Sequence, residues 1–209
     1  VKNGCAEGAC GTCTVLIDGK AVKACVQKTE KLDGKNILTS EGLSDREKAV
    51  YVSAFSKAGA VQCGFCIPGM VMCAKSLLDK TLSPTRDEVK KAIKNNLCRC
   101  TGYKKIEDAI LAAAEMFRNG IIPECPSGTG ILGENMIRVD AEAKITGKAM
   151  YADDYIMENM LYGSALRSEY PRAEIVSIDT SEAERIDGVV CVMTADDIPG
   201  TQKVGHLKR

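Results

Sequence analysis

The stretch from Gly4 to Cys25 reads GCAEGACGTCTVLIDGKAVKAC and carries four of the eleven cysteines in the chain. Three of them, Cys5, Cys10 and Cys13, follow the spacing C-x4-C-x2-C, and Cys25 completes the group after a short apolar stretch. Four thiolates gathered at such spacings are typical ligands of soft metal centres. The stretch therefore predicts a metal-binding loop followed by a small β-structure.

The residues after Cys13 predict a β-hairpin. Thr14 to Ile17 is rich in strand-forming side chains, Asp18-Gly19-Lys20 supplies a turn, and Ala21 to Val26 returns. A single hairpin is only marginally stable in water. We therefore expect a segment upstream of Val1 to complete its sheet.

A second group of four cysteines lies further along the chain. Cys63 and Cys66 form a C-x2-C pair, and Cys98 and Cys100 form a C-x-C pair. The spacing of the first group matches the plant-type [2Fe-2S] pattern, whereas zinc held by four thiolates is the alternative for both groups. The C-x4-C-x2-C run is unusual for zinc knuckles and C-x-C is tight for a zinc ribbon. We interpret both groups as [2Fe-2S] sites that pass single electrons.

Glycines surround both cysteine groups and are predicted to let the backbone approach the sulfides of a cluster. They are Gly4, Gly8, Gly11, Gly64, Gly69 and Gly102. Pro68 is predicted just inside the start of a helix. The positive end of that helix would then favour the thiolate form of Cys66.

Residues 44–119 predict four helices with short connections, which suggests a compact bundle. Ser44 to Glu47 and Thr85 to Glu88 each form a plausible capping box. The last helix has an apolar face, and Asn119-Gly120 ends it. Its apolar residues are Ile106, Ala109, Ile110, Ala113 and Phe117. The cysteines of the second group then fall in turns between helices.

Beyond residue 120 the texture of the sequence changes. Residues 121–133 are rich in Pro, Gly and Ser and predict a linker, after which an α/β pattern follows. Leu161 to Leu166, Glu174 to Ile178 and Val189 to Met193 are predicted strands, and Ser181 to Ile186 is a predicted short helix.

Composition excludes several classes of protein. The formal net charge is zero, which argues against a nucleic-acid partner, and no run of eighteen apolar residues is present to span a membrane. The odd number of cysteines and their tight pairing disfavour a secreted disulfide scaffold, so we expect a reducing cytoplasm. Residues 1–120 carry 19 Lys and Arg against 13 Asp and Glu, and the later residues carry the opposite excess.

Three motifs together resemble a known family. They are the stretch from Gly4 to Cys25, VQCGFCIPGM at 61–70 and NLCRCTGY at 96–103. In this order they look like the two [2Fe-2S] domains of the molybdenum hydroxylases, the xanthine dehydrogenase and aldehyde oxidoreductase family. Residues 134–209, which begin ENMIRVDAEAKITGKAMYADDY, resemble the start of the α/β hammerhead domain in the molybdenum-binding part of that family.

The resemblance implies an α+β multidomain fold. Residues 1–40 would form the C-terminal part of a β-grasp, ferredoxin-like domain, and residues 41–120 a four-helix [2Fe-2S] domain. A linker at 121–133 would lead to the hammerhead segment at 134–209. The first β-grasp strands would lie before Val1, and the catalytic residues of the molybdenum site would lie after Arg209.

The resemblance also implies the cofactors and their residues. Cys5, Cys10, Cys13 and Cys25 would hold one [2Fe-2S] cluster. Cys63, Cys66, Cys98 and Cys100 would hold the other. Gln62, Cys63 and Cys100 match positions that contact molybdopterin in the family, while most of that cofactor would be bound by downstream residues. The implied reaction is hydroxylation of a purine, another N-heterocycle or an aldehyde, with water as the oxygen source.

The implied partners are a small-molecule substrate, an electron-acceptor protein or flavin subunit, and a second copy in a homo-oligomer. No FAD domain separates the helical segment from the hammerhead segment, which resembles the flavin-free aldehyde oxidoreductases and the selenium-dependent xanthine dehydrogenases. Two alternatives stay open. One is a free-standing iron-sulfur small subunit, against which residues 134–209 argue. The other is a zinc-stabilised interaction module.

The remaining candidates favour structural roles. Gly128 to Gly133 spells G-x-G-x-x-G but lacks a flanking strand and helix, so we interpret it as linker. Cys73 and Cys191 are predicted to lie in the core because their neighbours are apolar. Cys125 is predicted to be an exposed thiol in the linker. His206 has no predicted catalytic role.

Overall fold

The computed structural model describes residues 1–123, 132–133 and 136–200. Within them the chain divides into two compact units, the first comprising Val1–Ile156 and the second beginning at Met157. Cys125, His206 and most of the G-x-G-x-x-G stretch lie outside the described residues, so the predictions made for them are untested.

A three-stranded antiparallel sheet follows the first cysteine loop. Strands β1 (Thr14–Ile17), β2 (Lys20–Lys23) and β3 (Ile37–Leu38) lie in the order β2-β1-β3. Asp18 and Gly19 both have positive φ angles, +48° and +75°, as a two-residue type I′ turn requires. The hairpin prediction is confirmed, although the returning strand ends at Lys23. The third strand comes from downstream residues and was not predicted.

Four helices follow the sheet, as the sequence predicts. They are α1 (Asp45–Lys57), α2 (Ile67–Leu78), α3 (Arg86–Ile93) and α4 (Lys104–Arg118). Both predicted capping boxes form, with Ser44 before α1 and Thr85 before α3. The helices found in the described part of the chain are too short or too polar to cross a bilayer.

Helix α2 occupies the centre of the first unit. Ten of its twelve residues are buried, as expected for a helix that is apolar on all sides. It packs against β1 on one side and α3 on another. The outer helices α1 and α4 meet through Tyr51 and Phe117, whose rings form an edge-to-face pair with centroids 5.4 Å apart.

A fifth helix, α5 (Ala141–Ile145), follows the predicted linker and packs against α1 and α2. Ala141 and Ile145 are buried in the same hydrophobic core as the four preceding helices. The segment up to Ile156 therefore belongs to the same compact unit as both cysteine groups.

The second unit departs from the sequence prediction. A short helix, α6 (Ser181–Glu184), falls within the predicted helical segment, but residues 157–200 contain no strand. The three strand predictions are wrong, because an apolar pattern forms a strand only where a neighbouring strand accepts its backbone hydrogen bonds. Tyr162 and Val176 are 86% and 92% exposed. Cys191 is also exposed, so its predicted core position is wrong. The prediction of a mixed α+β fold is confirmed at that level.

Candidate metal centres

The first cysteine group lies on the loop that precedes β1. The backbone N–H groups of Glu7 and Cys10 each lie 3.4 Å from the Sγ atom of Cys5 and donate to it. These bonds, the one from Cys10 foremost, lower the pKa of the Cys5 thiol to about 6. The N–H of Cys25 donates to Cys13 Sγ over the same distance. The loop thus directs hydrogen-bond donors at sulfur, as anionic ligands require.

The sulfurs of this group approach one another in pairs. Cys5 contacts the side chain of Cys10. Cys25 contacts the side chain of Cys13, and that contact raises the pKa of the Cys25 thiol. Lys23 fastens the loop from β2, because its Nζ donates a 2.6 Å hydrogen bond to the carbonyl oxygen of Gly8.

The second group also forms two pairs, which differ in exposure. Cys63 and Cys100 are exposed, with sulfurs 3.4 Å apart, whereas Cys66 and Cys98 are buried and contact each other. Burial raises the pKa of the Cys66 thiol, so desolvation outweighs the helix-dipole effect predicted there. Burial raises the pKa of the Cys98 thiol, yet its hydrogen bond with the Thr101 hydroxyl at 3.1 Å and those with nearby backbone groups outweigh that effect and lower the pKa.

The pairwise arrangement bears on which metal centre the thiolates suit. Within residues 1–123, 132–133 and 136–200, no three Cys, His, Asp or Glu side chains gather as the ligands of a single metal ion would. A [2Fe-2S] cluster takes two thiolates on each of its two irons, whereas a zinc ion takes four around one point. Two adjacent pairs in each group fit a two-iron cluster.

The two groups touch through their backbones at glycines. Gly11 has a φ of +72°, and a Cβ atom there would collide with the carbonyl oxygen of Asn95. A Cβ atom at Gly69 would lie 2.6 Å from the carbonyl oxygen of Thr12. At these two positions the missing Cβ makes room for the neighbouring loop, and the approach of these glycines to cluster sulfides stays a prediction. At Gly4 a Cβ atom would meet a ligand sulfur, Cys10 Sγ, at 3.0 Å.

A buried polar network joins the two loops. The side chain of Asn96 is 2% exposed and donates a 2.9 Å hydrogen bond to the carbonyl oxygen of Gly11. It also accepts the thiol of Cys73 at 3.1 Å. Beside it, the N–H of Leu97 donates to the carbonyl oxygen of Cys10 at 2.8 Å. The prediction that Cys73 is a core residue is confirmed.

Tyr103 supports the loop that carries Cys98. Its hydroxyl accepts the N–H of Cys98 at 2.9 Å and donates to the carbonyl oxygen of Asn96 at 3.2 Å. The sequence interpretation assigned no role to Asn96 or Tyr103. Both lie inside the quoted motif NLCRCTGY, and the presence of polar side chains beside ligand positions is the signal that would have found them.

The predicted pterin contacts fall on one side of the second group. Cys63 and Cys100 form its exposed pair, and Gln62, which precedes Cys63, is exposed as well. The three predicted contacts are thus brought together at the surface, away from the buried Cys66–Cys98 pair.

Comparison with known proteins identifies the family. A profile for a 2Fe-2S iron-sulfur cluster binding domain matches residues 1–56, and a second, for a [2Fe-2S] binding domain, matches residues 39–111. A third matches residues 146–208 and describes the a/b hammerhead domain of aldehyde oxidase and xanthine dehydrogenase. The nicotinate dehydrogenase small FeS subunit of Eubacterium barkeri is 47% identical over 57% of this chain and 76% of that subunit. The chain belongs to the molybdenum hydroxylase family.

Two other members of the family match almost all of this molybdenum hydroxylase chain. The aldehyde oxidoreductase of Megalodesulfovibrio gigas is 38% identical over 99% of the chain, which spans 24% of that protein. The crystal structure of the aldehyde oxidoreductase from Desulfovibrio desulfuricans superposes with a TM-score of 0.80 at 38% identity, over 96% of this chain and 23% of that one. This molybdenum hydroxylase chain thus spans about a quarter of the length of these relatives.

Proposed function

We propose that this chain is the electron-transfer portion of a molybdenum hydroxylase that passes single electrons between two [2Fe-2S] clusters. The observation that carries the proposal is the direct backbone contact between two paired cysteine groups, from Leu97 N–H to the Cys10 carbonyl oxygen at 2.8 Å. Each cluster would accept and donate one electron at a time, and the protein would hold the two clusters at a fixed separation.

The ligand assignment follows from the pairing. Cys5 with Cys10 and Cys13 with Cys25 would hold the first cluster. Cys63 with Cys100 and Cys66 with Cys98 would hold the second. The domain boundaries proposed from the sequence, residues 1–40, 41–120 and 134–209, assign the first cluster to a β-grasp segment. They assign the second cluster to a four-helix segment and residues 134–209 to a hammerhead segment.

The exposed and buried sides of the second group suggest a direction for electron flow. Its exposed pair, Cys63 and Cys100, lies beside Gln62, where molybdopterin would make contact. Its buried side leads through Cys98 and Leu97 to Cys10 of the first group. We infer that electrons enter at the exposed pair and leave through the buried side toward the first cluster.

The reaction of the whole enzyme would oxidise a purine, another N-heterocycle or an aldehyde. The substrate and one water give the hydroxylated product, two protons and two electrons, and the clusters carry the electrons away one at a time. An electron-acceptor protein or flavin subunit would receive them. A homo-oligomer remains a prediction from the resemblance, and a cytoplasmic location remains a prediction from the odd number and tight pairing of the cysteines.

The molybdenum-binding part would follow in the same polypeptide. The match to the aldehyde oxidoreductase of Megalodesulfovibrio gigas extends over 99% of this chain, whereas the match to the small FeS subunit of Eubacterium barkeri extends over 57%. The packing of α5 into the core of the iron-sulfur unit supports this arrangement over a free-standing small subunit.

Metal analysis of anaerobically purified protein tests the proposal. We expect about four irons and four acid-labile sulfides per chain, a red-brown colour and two distinct EPR signals after reduction. A colourless protein that contains zinc and no acid-labile sulfide would support the interaction-module alternative and overturn the proposal.

A further inference from the structure

The segment that follows the linker contacts the ligand loop of the second group. The hydroxyl of Tyr151 donates a 2.8 Å hydrogen bond to the carbonyl oxygen of Cys63. The Nζ atom of Lys144 donates to the carbonyl oxygen of Gln62 at 3.3 Å. Two consecutive carbonyl groups of the loop are therefore fixed by side chains from a different part of the chain.

Lys144 also packs directly on the backbone of this loop. A Cβ atom at Gly64 would lie 2.7 Å from the Cβ, Cγ and Cδ atoms of Lys144, so the methylene stem of the lysine fills the space that a side chain would need. Gly64 has a φ of +84°, which other residues rarely adopt. The Lys144 side chain is only 12% exposed. The contact thus depends on the shape of both partners.

The ring of Tyr151 is held from two sides. Phe65, in the same ligand loop, contacts it edge-to-face with centroids 5.0 Å apart and an interplanar angle of 86°. The ammonium group of Lys2 lies 5.0 Å from the ring centroid, and Lys2 forms an ion pair with Asp154. The hydroxyl of Tyr151 is therefore aimed at the Cys63 carbonyl by a fixed ring.

The charge around the loop has a definite sign. Lys144 and Arg138 both pair with Asp140, the former at 2.9 Å, which leaves one positive charge in excess among the three groups. Positive charge and hydrogen-bond donors near an iron-sulfur cluster favour its reduced, more negative form. The Lys144 ammonium group, as a positive charge, and the Tyr151 hydroxyl, as a hydrogen-bond donor, therefore both act to raise the reduction potential of the second cluster.

We propose that Lys144 and Tyr151 are positioning residues that hold the Gln62–Cys63 backbone and raise the reduction potential of the second cluster above the value it would have without them, while the potential of the first cluster is unaffected. The inference rests on the proposed function, since it requires that both clusters are bound. The segment that contains Lys144 and Tyr151 would then help to set the reduction potential at the cluster where electrons enter. Both residues lie outside the cysteine motifs.

The test is an EPR-monitored redox titration of the full-length holoprotein, in which the first cluster is an internal reference. Lys144→Met keeps the methylene stem and removes the charge, and we expect it to lower the potential of the second cluster while the first stays unchanged. Lys144→Arg should restore most of the potential because it keeps a cation. Tyr151→Phe should shift the second potential in the same direction as Lys144→Met.

Matched controls come from the same segment. Lys148→Met removes a charge from an exposed lysine, and Tyr155→Phe removes a hydroxyl from an exposed ring. Both should leave the two potentials as in the wild type. The inference is overturned if Lys144→Met and Tyr151→Phe leave the second potential unchanged, or if they move both potentials equally. A wild-type protein without two EPR signals would instead overturn the proposed function.

Discussion

The backbone N–H of Leu97 donates a 2.8 Å hydrogen bond to the carbonyl oxygen of Cys10. Cys10 belongs to the first cysteine group, and Leu97 directly precedes Cys98 of the second. The contact uses only backbone atoms, because the side chain of Leu97 is 63% exposed. The contact gives electrons a short path between Cys98 and Cys10 that consists of covalent bonds and one hydrogen bond.

Two substitutions of Leu97 distinguish the contribution of its backbone N–H from that of its side chain. Leu97→Ala should leave both clusters intact and change stability by less than about 0.5 kcal/mol, since the lost side chain is exposed. Leu97→Pro removes the N–H and should slow electron passage between the clusters. Rapid-freeze EPR after reduction through the second cluster measures the rate. Equal rates in a Leu97→Pro protein that retains both clusters would exclude this route.

Removal of one buried ligand should affect only its own cluster. Cys98→Ser takes a thiolate from the second group, and we expect the iron content to fall from about four to about two per chain. The EPR signal of the first cluster should persist. Cys73→Ala is the matched control because Cys73 is buried nearby but pairs with Asn96, and it should keep both signals. Loss of both clusters in Cys98→Ser would contradict separate sites.

Asn96 should be important for stability. Asn96→Leu removes the hydrogen bonds to Gly11 and Cys73 and takes the Asn96 acceptor away from the buried Cys73 thiol, which should cost about 2 kcal/mol. The measurement is the thermal midpoint of the anaerobic holoprotein. Asn95→Leu is the control, since Asn95 is the exposed neighbour. An equal loss of stability in both variants would mean that the network contributes nothing of its own.

The cysteines outside the two groups should differ in reactivity. Burial raises the pKa of the Cys73 thiol to about 11, against the opposing effect of its hydrogen bonds. The thiolate is the reactive form, so Cys73 stays protonated and inert below that pH. Iodoacetamide at pH 8 should alkylate exposed Cys191 and leave Cys73 unmodified in the folded holoprotein. Peptide mass mapping distinguishes them, and equal alkylation of Cys73 would show that its site opens readily.

The local features of this chain could be predicted from the sequence. The capping boxes at Ser44 and Thr85 depend on residues three positions apart, and the Asp18-Gly19 turn depends on two adjacent residues. The cysteine spacings likewise drew attention to both groups, and their pairing became visible only in the structure. Each of these predictions needed no knowledge of where the rest of the chain lies.

Contacts between distant segments could not be predicted in the same way. The pairing of β3 with β1 joins Ile37 to Ile17, and the link from Tyr151 to Cys63 spans 88 residues. At Gly11 the missing Cβ makes room for the carbonyl oxygen of Asn95, a contact with a distant segment that the cysteine spacing does not indicate. The apolar runs between 161 and 193 predicted strands, but a strand also requires a partner, which its own residues do not specify.

Helix α2 begins directly after Cys66, in the second group, yet its third residue, Gly69, rests on the Thr12 carbonyl in the loop of the first group. A substitute module of different backbone shape would collide at this point, whichever of the two were exchanged. We therefore expect evolutionary recombination to exchange the segments that carry the two cysteine groups together and not singly.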